Sequence, residues 1–123
     1  DAENSRAYLR FSRLLVVLGL IDLNIHTGKW TSERGQEYLK KNSSYSANRE
    51  HLFLEQLREK PGLFLSISLG RIFFNEMKRK CLEKSSSEFC GKAFNQLIVD
   101  QGPVPLPYLE SLLIENFSEN LRS

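Results

Sequence analysis

Asp22 and His26 are the side chains whose types and spacing best fit a chemical role in this sequence. A spacing of four residues places a carboxylate one helical turn before an imidazole, where it can orient the ring, as in general bases and ligand-binding histidines. Composition alone favours a purely structural interpretation, in which His26 binds the last carbonyls of a helix and is stabilised by the helix dipole. Trp30 lies in the same short polar and aromatic segment. We therefore take His26, Asp22 and Trp30 as candidates for substrate binding.

Other reaction centres are not evident in the sequence. No serine or cysteine stands in a nucleophile motif, and no glycine-rich phosphate loop is present. The four residues His26, His51, Cys81 and Cys90 are of the types that bind zinc. Structural zinc sites, however, take their ligands in close pairs on one turn, and this spacing is absent. We expect no metal site and no cofactor in this chain.

The two cysteines allow two interpretations. Cys81 and Cys90 each lie about one turn from the connector at Ser85–Ser87, in predicted helices that would pack antiparallel. A disulfide between them would close a short loop and contribute about 2 to 3 kcal/mol. Two free, half-buried thiols are the alternative. Two cysteines do not form the disulfide framework of a small secreted protein, so the localisation stays undetermined.

The elements that must position these groups are helices. Apolar residues run almost without interruption from Leu14 to Ile21, so we expect neighbours to enclose the first helix. Gly70 lies inside a later helical pattern, where it predicts the close approach of another backbone, with Gly19 of the first helix as its partner. No alternation of period two indicates a strand. The sequence predicts an all-α fold, an irregular bundle of about six helices around a buried first helix. The predicted helices span about 2–24, 32–41, 46–59, 63–84, 87–100 and 107–116.

Length and charge limit the function further. With 123 residues and 41% hydrophobic residues, the chain is expected to form a single helical domain, 1–123. Its 17 basic and 15 acidic residues give a net charge of +2 and are spread along the chain, which argues against nucleic acid and anionic membranes as partners. The apolar run is far shorter than the roughly 20 residues that cross a bilayer. The acidic start at Asp1, without Met, is unlike a signal peptide and suggests part of a longer protein.

Four blocks of residues, in order along the chain, resemble a known family. Residues 21–31 read I-D-x-x-I-H-x-x-x-W-T, similar to the V-D-x-G-[IL]-H-x-x-x-W-[ST] segment of the family called domain of unknown function 885. A short helix ending in Y-L and then N follows in both. The third block resembles P-G-x-x-[LM]-S-Y-x-x-G-x-x-x-[IL], and the last resembles F-x-x-x-[IVL]-L-x-x-G-x-[VL]-P-L-x-x-L-E. The residues that match the last three blocks are Tyr38, Leu39, Asn42, Pro61, Gly62, Leu65, Ser66, Gly70, Phe94, Leu97, Ile98, Gly102, Val104, Pro105, Leu106, Leu109 and Glu110.

The resemblance implies the C-terminal part of a larger, mostly helical protein similar to zinc metallopeptidases of the HExxH type. In that family the HExxH helix and a further glutamate ligand lie upstream of these blocks, so zinc would belong to the parent protein. This chain would form one wall of a substrate cleft for a peptide-like substrate, with His26 facing the cleft. Its partners would be the missing N-terminal portion of the parent or a self-association partner.

Three positions depart from the family pattern. Ile67 stands where the pattern has tyrosine, Ser68 at the following basic position, and Asn24 at the glycine before I-H. A lost phenol removes a donor to a developing oxyanion. A second interpretation is therefore a non-catalytic helical interaction domain, a degenerate relative. An HExxH motif upstream in the same gene would distinguish the two.

Overall fold

The computed structural model describes the backbone of residues 2–84 and 87–119 and the side chains of residues 2–83 and 91–116. Every regular element in these ranges is an α-helix, which confirms the all-α class and the six helices. The helices are α1 (Ala2–His26), α2 (Ser32–Asn42), α3 (Ala47–Glu59), α4 (Leu63–Lys84), α5 (Ser87–Gln101) and α6 (Leu106–Glu119).

The chain forms two compact units, Asp1–Leu69 and Gly70–Ser123, each with its own hydrophobic core. Helix α4 contributes its first part to the first unit and the remainder to the second. The single domain over 1–123 stays a prediction. No helix of the described residues is long and apolar enough to cross a membrane.

The core of the first unit is built on one face of α1, which packs against α2 and α3. Leu18 and Ile21 are completely buried, as is Leu39 of α2. Val16, Leu20 and Leu23, which belong to the same apolar run or follow it directly, are exposed. The neighbours therefore enclose α1 on one side only, and the expected enclosure on every side is wrong. The buried residues of this core are Leu14, Leu15, Val17, Leu18, Ile21, Leu39, Leu54, Leu57 and Phe64.

A close approach between α1 and α4 occurs at Gly19. A Cβ on this glycine would lie 2.6 Å from Oγ of Ser68 and 3.3 Å from the carbonyl oxygen of Phe64. The buried Ser68 hydroxyl donates a hydrogen bond of 2.6 Å to the carbonyl of Leu15. Gly70 has no neighbour within 4 Å of an added Cβ, so the close approach predicted at Gly70 is wrong. Gly19 meets Ser68 instead, because Ser68 lies on the face of α4 that packs on α1.

Helix α2 begins at a side-chain cap. The Thr31 hydroxyl accepts a hydrogen bond of 3.3 Å from the amide of Arg34, which is the usual role of a threonine at an N-cap. Helix α3 begins after Ser46, whose side chain makes no capping hydrogen bond.

The second unit has a smaller core around α5 and α6, which pack against each other. Its buried residues are Met77, Cys81, Phe94, Leu109 and Leu113. Cys81 is only 3% exposed and is disulfide-bonded rather than a free thiol. The side chain of Cys90 lies outside the described residues, so the Cys81–Cys90 pairing stays a prediction.

Candidate functional site

Asp22 and His26 meet on the last turn of α1. Nδ1 of His26 lies 2.7 Å from Oδ1 of Asp22 and 3.0 Å from the main-chain oxygen of the same residue. The Asp22 residue is 1% exposed, whereas 29% of the His26 side chain is open to solvent. A buried carboxylate thus holds Nδ1 of an imidazole that is partly open to solvent. Both sequence-based interpretations of His26 are represented, since its Nδ1 contacts a carboxylate and a late helical carbonyl.

The same carboxylate holds the start of α4. The amide of Gly62 donates to Oδ1 of Asp22 at 2.9 Å, and the amide of Leu65 donates to Oδ2 at 3.1 Å. The first amides of a helix lack partners within the helix and carry a partial positive charge. Asp22 therefore caps α4 from another helix, and this explains how a carboxylate is buried: its hydrogen bonds and the helix terminus replace water.

Gly62 adopts a conformation that suits this contact. Its φ of 83° lies in the left-handed region, which an L side chain rarely adopts. Lys60 ends α3 by donating its amide to Gln56, and the chain turns at Gly62 before α4 begins. The backbone amide of Gly62 is thereby directed to the end of α1.

The hydrogen bonding defines the chemistry open to His26. When the imidazole is neutral, donation from Nδ1 to Asp22 places the hydrogen on Nδ1 and the lone pair on Nε2. Among the described residues, Nε2 has no hydrogen-bond partner. An oriented Nε2 without such a partner can accept a proton or hydrogen bond from a ligand, or donate one when the ring is charged.

Trp30 has a different environment from the Asp22–His26 pair. Its ring lies 5.0 Å from the Tyr38 ring, centroid to centroid, and Cζ of Arg34 lies 5.0 Å from the centre of the Trp30 ring. The residue is half-buried against the first core. Its amide and that of Lys29 donate to the carbonyl of Asn24. These contacts are with α2 and the end of α1, so packing accounts for the ring, and substrate binding by Trp30 stays a prediction.

The described residues do not fit a zinc site. No three His, Cys, Asp or Glu side chains among them lie close enough to hold a metal ion. Asp22 has its oxygens engaged by backbone amides and His26. His51 lies on α3, exposed, with Nε2 3.4 Å from Oε1 of Glu55.

The amides of Gly62 and Leu65 are the part of the site that sequence analysis missed. No side-chain chemistry signals them, because they act through backbone N–H groups. Both nevertheless lie in the third block of the resemblance, while Asp22 and His26 lie in the first. Hydrogen bonds thus join two blocks that are 40 residues apart in the chain.

The site and fold define an all-α protein in which an aspartate both caps a helix and orients a surface histidine. Comparison with family models assigns the chain: the model described as "Bacterial protein of unknown function (DUF885)" matches residues 1–113, and the chain belongs to this family. Searches of curated proteins and of solved structures gave no match.

Proposed function

We propose that this chain is the C-terminal helical segment of a zinc-metallopeptidase-like protein, in which it forms one wall of the substrate cleft. His26 contacts the peptide-like substrate, and the parent supplies the zinc through residues upstream. The observation that carries the proposal is the 2.7 Å contact between Nδ1 of His26 and the buried Asp22 carboxylate, which leaves Nε2 open to a ligand. Membership of the family supports it.

The role of the chain's own residues follows from this geometry. Asp22 fixes the tautomer and the direction of the ring, so it acts as a positioning residue. His26 binds a peptide group of the substrate through Nε2, accepting from its N–H when neutral or donating to its oxygen when charged. Because Asp22 is itself held by the amides of Gly62 and Leu65, the ring is oriented by two helices rather than one. Such a fixed group loses little entropy when substrate binds.

Zinc would bind outside this chain in the proposal. The described residues offer no group of metal ligands, so every step assigned here concerns substrate contact. In the parent, zinc would activate water for hydrolysis. Elemental analysis of the isolated chain after dialysis is expected to find no bound zinc. One retained equivalent would show that the ligands have been placed in the wrong part of the protein.

The substrate contact is tested in the protein that carries this segment together with its upstream portion. His26→Gln is expected to reduce kcat/KM for peptide hydrolysis about 100-fold, because the imidazole Nε2 that contacts the transition state is removed. His51→Gln is a matched control, since His51 is exposed on α3 and pairs only with Glu55 among the described residues. Zinc content should stay unchanged in both variants, and His51→Gln should also keep the thermal stability of the unchanged protein. Full activity in His26→Gln would contradict the role of His26, and loss of zinc would make it a ligand.

An exposed apolar surface on α1 supports the proposal that this chain is part of a larger protein. Leu9, Val16, Leu20 and Leu23, here called the α1 stripe, are 65%, 48%, 41% and 41% exposed. Positions spaced by seven, four and three residues lie on one side of a helix, and Val16, Leu20 and Leu23 are direct neighbours there, whereas Ser12 and Arg13 separate Leu9 from Val16. An apolar stripe of this kind is typical of a surface that another helix covers. We propose that the missing N-terminal portion covers it in the parent and that a second copy covers it in the isolated chain.

Light scattering tests the α1 stripe. The isolated chain is expected to self-associate as its concentration rises, and Leu20→Gln should weaken this association. Leu52→Gln is the control, because Leu52 is 57% exposed on α3 and outside the stripe. A monomer at all concentrations would remove the support for self-association. An equal effect of both variants would show that the stripe has no special role.

Two residues of α4, Ile67 and Ser68, favour a second function, that of a non-catalytic interaction domain. Ile67, at the position of the family's tyrosine, is 40% exposed and has no group that can donate to a substrate oxygen. The hydroxyl of Ser68, at the next position, is engaged with the carbonyl of Leu15. Sequencing upstream distinguishes the functions, since the peptidase requires HExxH in the same gene. Ile67→Tyr should raise the activity of a parent that has this motif.

A further inference from the structure

Two adjoining cavities open on the first unit, away from the residues assigned above. Their volumes are about 260 and 430 Å³, and both are lined by Arg10, Ser44 and Tyr45. The walls come from α1, from the end of α2 and the connector after it, and from the start of α3. Because they share three lining residues, the two cavities can hold parts of one ligand.

All charged side chains that line the two cavities are positive. Arg10 and Arg13 of α1, Lys41 of α2 and Arg49 of α3 line the cavities, and no acidic residue does. None of these four side chains forms an ion pair among the described residues. Cζ of Arg49 lies 5.8 Å from the centre of the Tyr45 ring, which holds the guanidinium beside the cavity. Four cationic groups from three helices therefore surround a concave surface without a counter-charge from the described residues that line it.

Backbone groups add to this positive character. Ser46 lines the larger cavity and precedes α3, but its side chain does not cap the helix. The first amides of α3 therefore have no side-chain cap from Ser46, and they favour an anion. At the end of α2, the carbonyl of Tyr38 accepts from Nδ2 of Asn42 and that of Leu39 accepts from the amide of Ser43, so two of the carbonyls there are already engaged.

We propose that these cavities bind a small molecule through a diphosphate group. Arginine forks bind phosphate oxygens in pairs, and the distribution over two cavities fits two linked phosphates better than one. Four cationic side chains match the roughly three to four negative charges of a diphosphate, since a single phosphate carries only about two. Nucleic acid is a poorer fit, because the whole chain has a net charge of only +2 and the two cavities offer only a small concave surface.

Calorimetric titration of the full chain with inorganic pyrophosphate tests this site. We expect binding at one site, at least ten-fold tighter than that of orthophosphate. Arg10→Gln should weaken pyrophosphate binding at least ten-fold, because Arg10 lines both cavities. Arg58→Gln is the matched control: it makes the same change of charge at an exposed position on α3 that lines neither cavity. This control should bind as the unchanged chain does.

Further measurements separate the possible explanations of a change in pyrophosphate binding. Circular dichroism should show unchanged helicity in Arg10→Gln, and Lys41→Gln should weaken binding independently. No heat with pyrophosphate, equal weakening by Arg58→Gln, or equal affinity for orthophosphate would each overturn the proposal. Tight binding of a short RNA that displaces pyrophosphate would replace the small-molecule ligand with nucleic acid. None of these measurements uses peptidase activity, so their result is independent of the function proposed for His26.

Discussion

The amide of Gly62 donates a 2.9 Å hydrogen bond to Oδ1 of Asp22, a residue 40 positions earlier in the chain. The same oxygen lies 2.7 Å from Nδ1 of His26. One buried carboxylate atom thus joins the end of α1, the start of α4 and the exposed imidazole. The stability of the first unit and the orientation of His26 are therefore linked through Asp22.

Replacing Asp22 with asparagine should destabilise the first unit by about 2 to 3 kcal/mol. The amide side chain keeps one acceptor oxygen, but its NH2 group would face an N–H donor of Gly62 or Leu65. Urea unfolding followed by circular dichroism measures the change. Asp100→Asn is the control, since Asp100 is exposed and accepts only from Gln96 among the described residues. This control should shift stability by less than about 0.5 kcal/mol. An equal, small effect of both variants would show that the Asp22 hydrogen bonds contribute little.

Alanine should have opposite effects at two helical glycines. Gly19→Ala is expected to destabilise the protein by about 1 to 3 kcal/mol, because the new methyl group would overlap Oγ of Ser68 and crowd the carbonyl of Phe64. Gly70→Ala should stabilise it by about 0.5 to 1 kcal/mol, since nothing lies within 4 Å of the added Cβ and alanine favours the helix. Thermal unfolding measures both. The same sign in both variants would contradict the packing described at Gly19.

Acid should weaken the start of α2 through Glu33. Hydrogen bonds from its own backbone amide and from the Thr31 hydroxyl, together with the charge of Arg58, lower the pKa of Glu33 below the ordinary value of 4.5. A lowered pKa means that the ionised group stabilises the fold at pH values above the unfolded pKa, and that this contribution disappears as the pH falls through the folded pKa. Glu33→Gln should therefore melt below the unchanged chain at neutral pH, and the difference should shrink as the pH falls through the folded pKa of Glu33. A difference that does not vary with pH would contradict this.

Reduction should destabilise the second unit. If Cys81 is bonded to Cys90, thiol titration of the unfolded, unreduced chain finds no free thiol. Reduction is then expected to cost about 2 to 3 kcal/mol. Cys81→Ser combined with Cys90→Ser should abolish the effect of reductant. Two titratable thiols before reduction would exclude the bond.

Helix positions could be predicted from the sequence because the spacing of apolar residues marks the helices and glycine marks the turns between them. Gly28 and Gly62, both with positive φ, lie in the turns that follow α1 and α3. The burial of α1 was predicted less well. Its apolar run suggested enclosure, but the side chains of Leu20 and Leu23 point away from α2 and α3 and remain exposed. Composition shows how apolar a helix is, but it does not show how many neighbours pack against it.

The candidate site was predictable only where side chains mark it. The spacing of Asp22 and His26 predicted their contact, because residues four apart meet on a helix. The amides of Gly62 and Leu65 could not be predicted, since every residue except proline has such a donor. The cationic cavity was also missed, because only the fold brings Lys41 and Arg49 beside Arg10 and Arg13 of α1.

The cap on α4 also determines how the first unit can open. Helices α2 and α3 lie between α1 and α4 in the chain, and Asp22 joins the end of α1 to the start of α4. Unfolding of α2 and α3 alone therefore need not break the hydrogen bonds of the Gly62 and Leu65 amides. Hydrogen exchange at those two amides requires separation of α1 from α4. Their exchange rates therefore report that opening of the unit, at amides that lie directly beside the exposed imidazole.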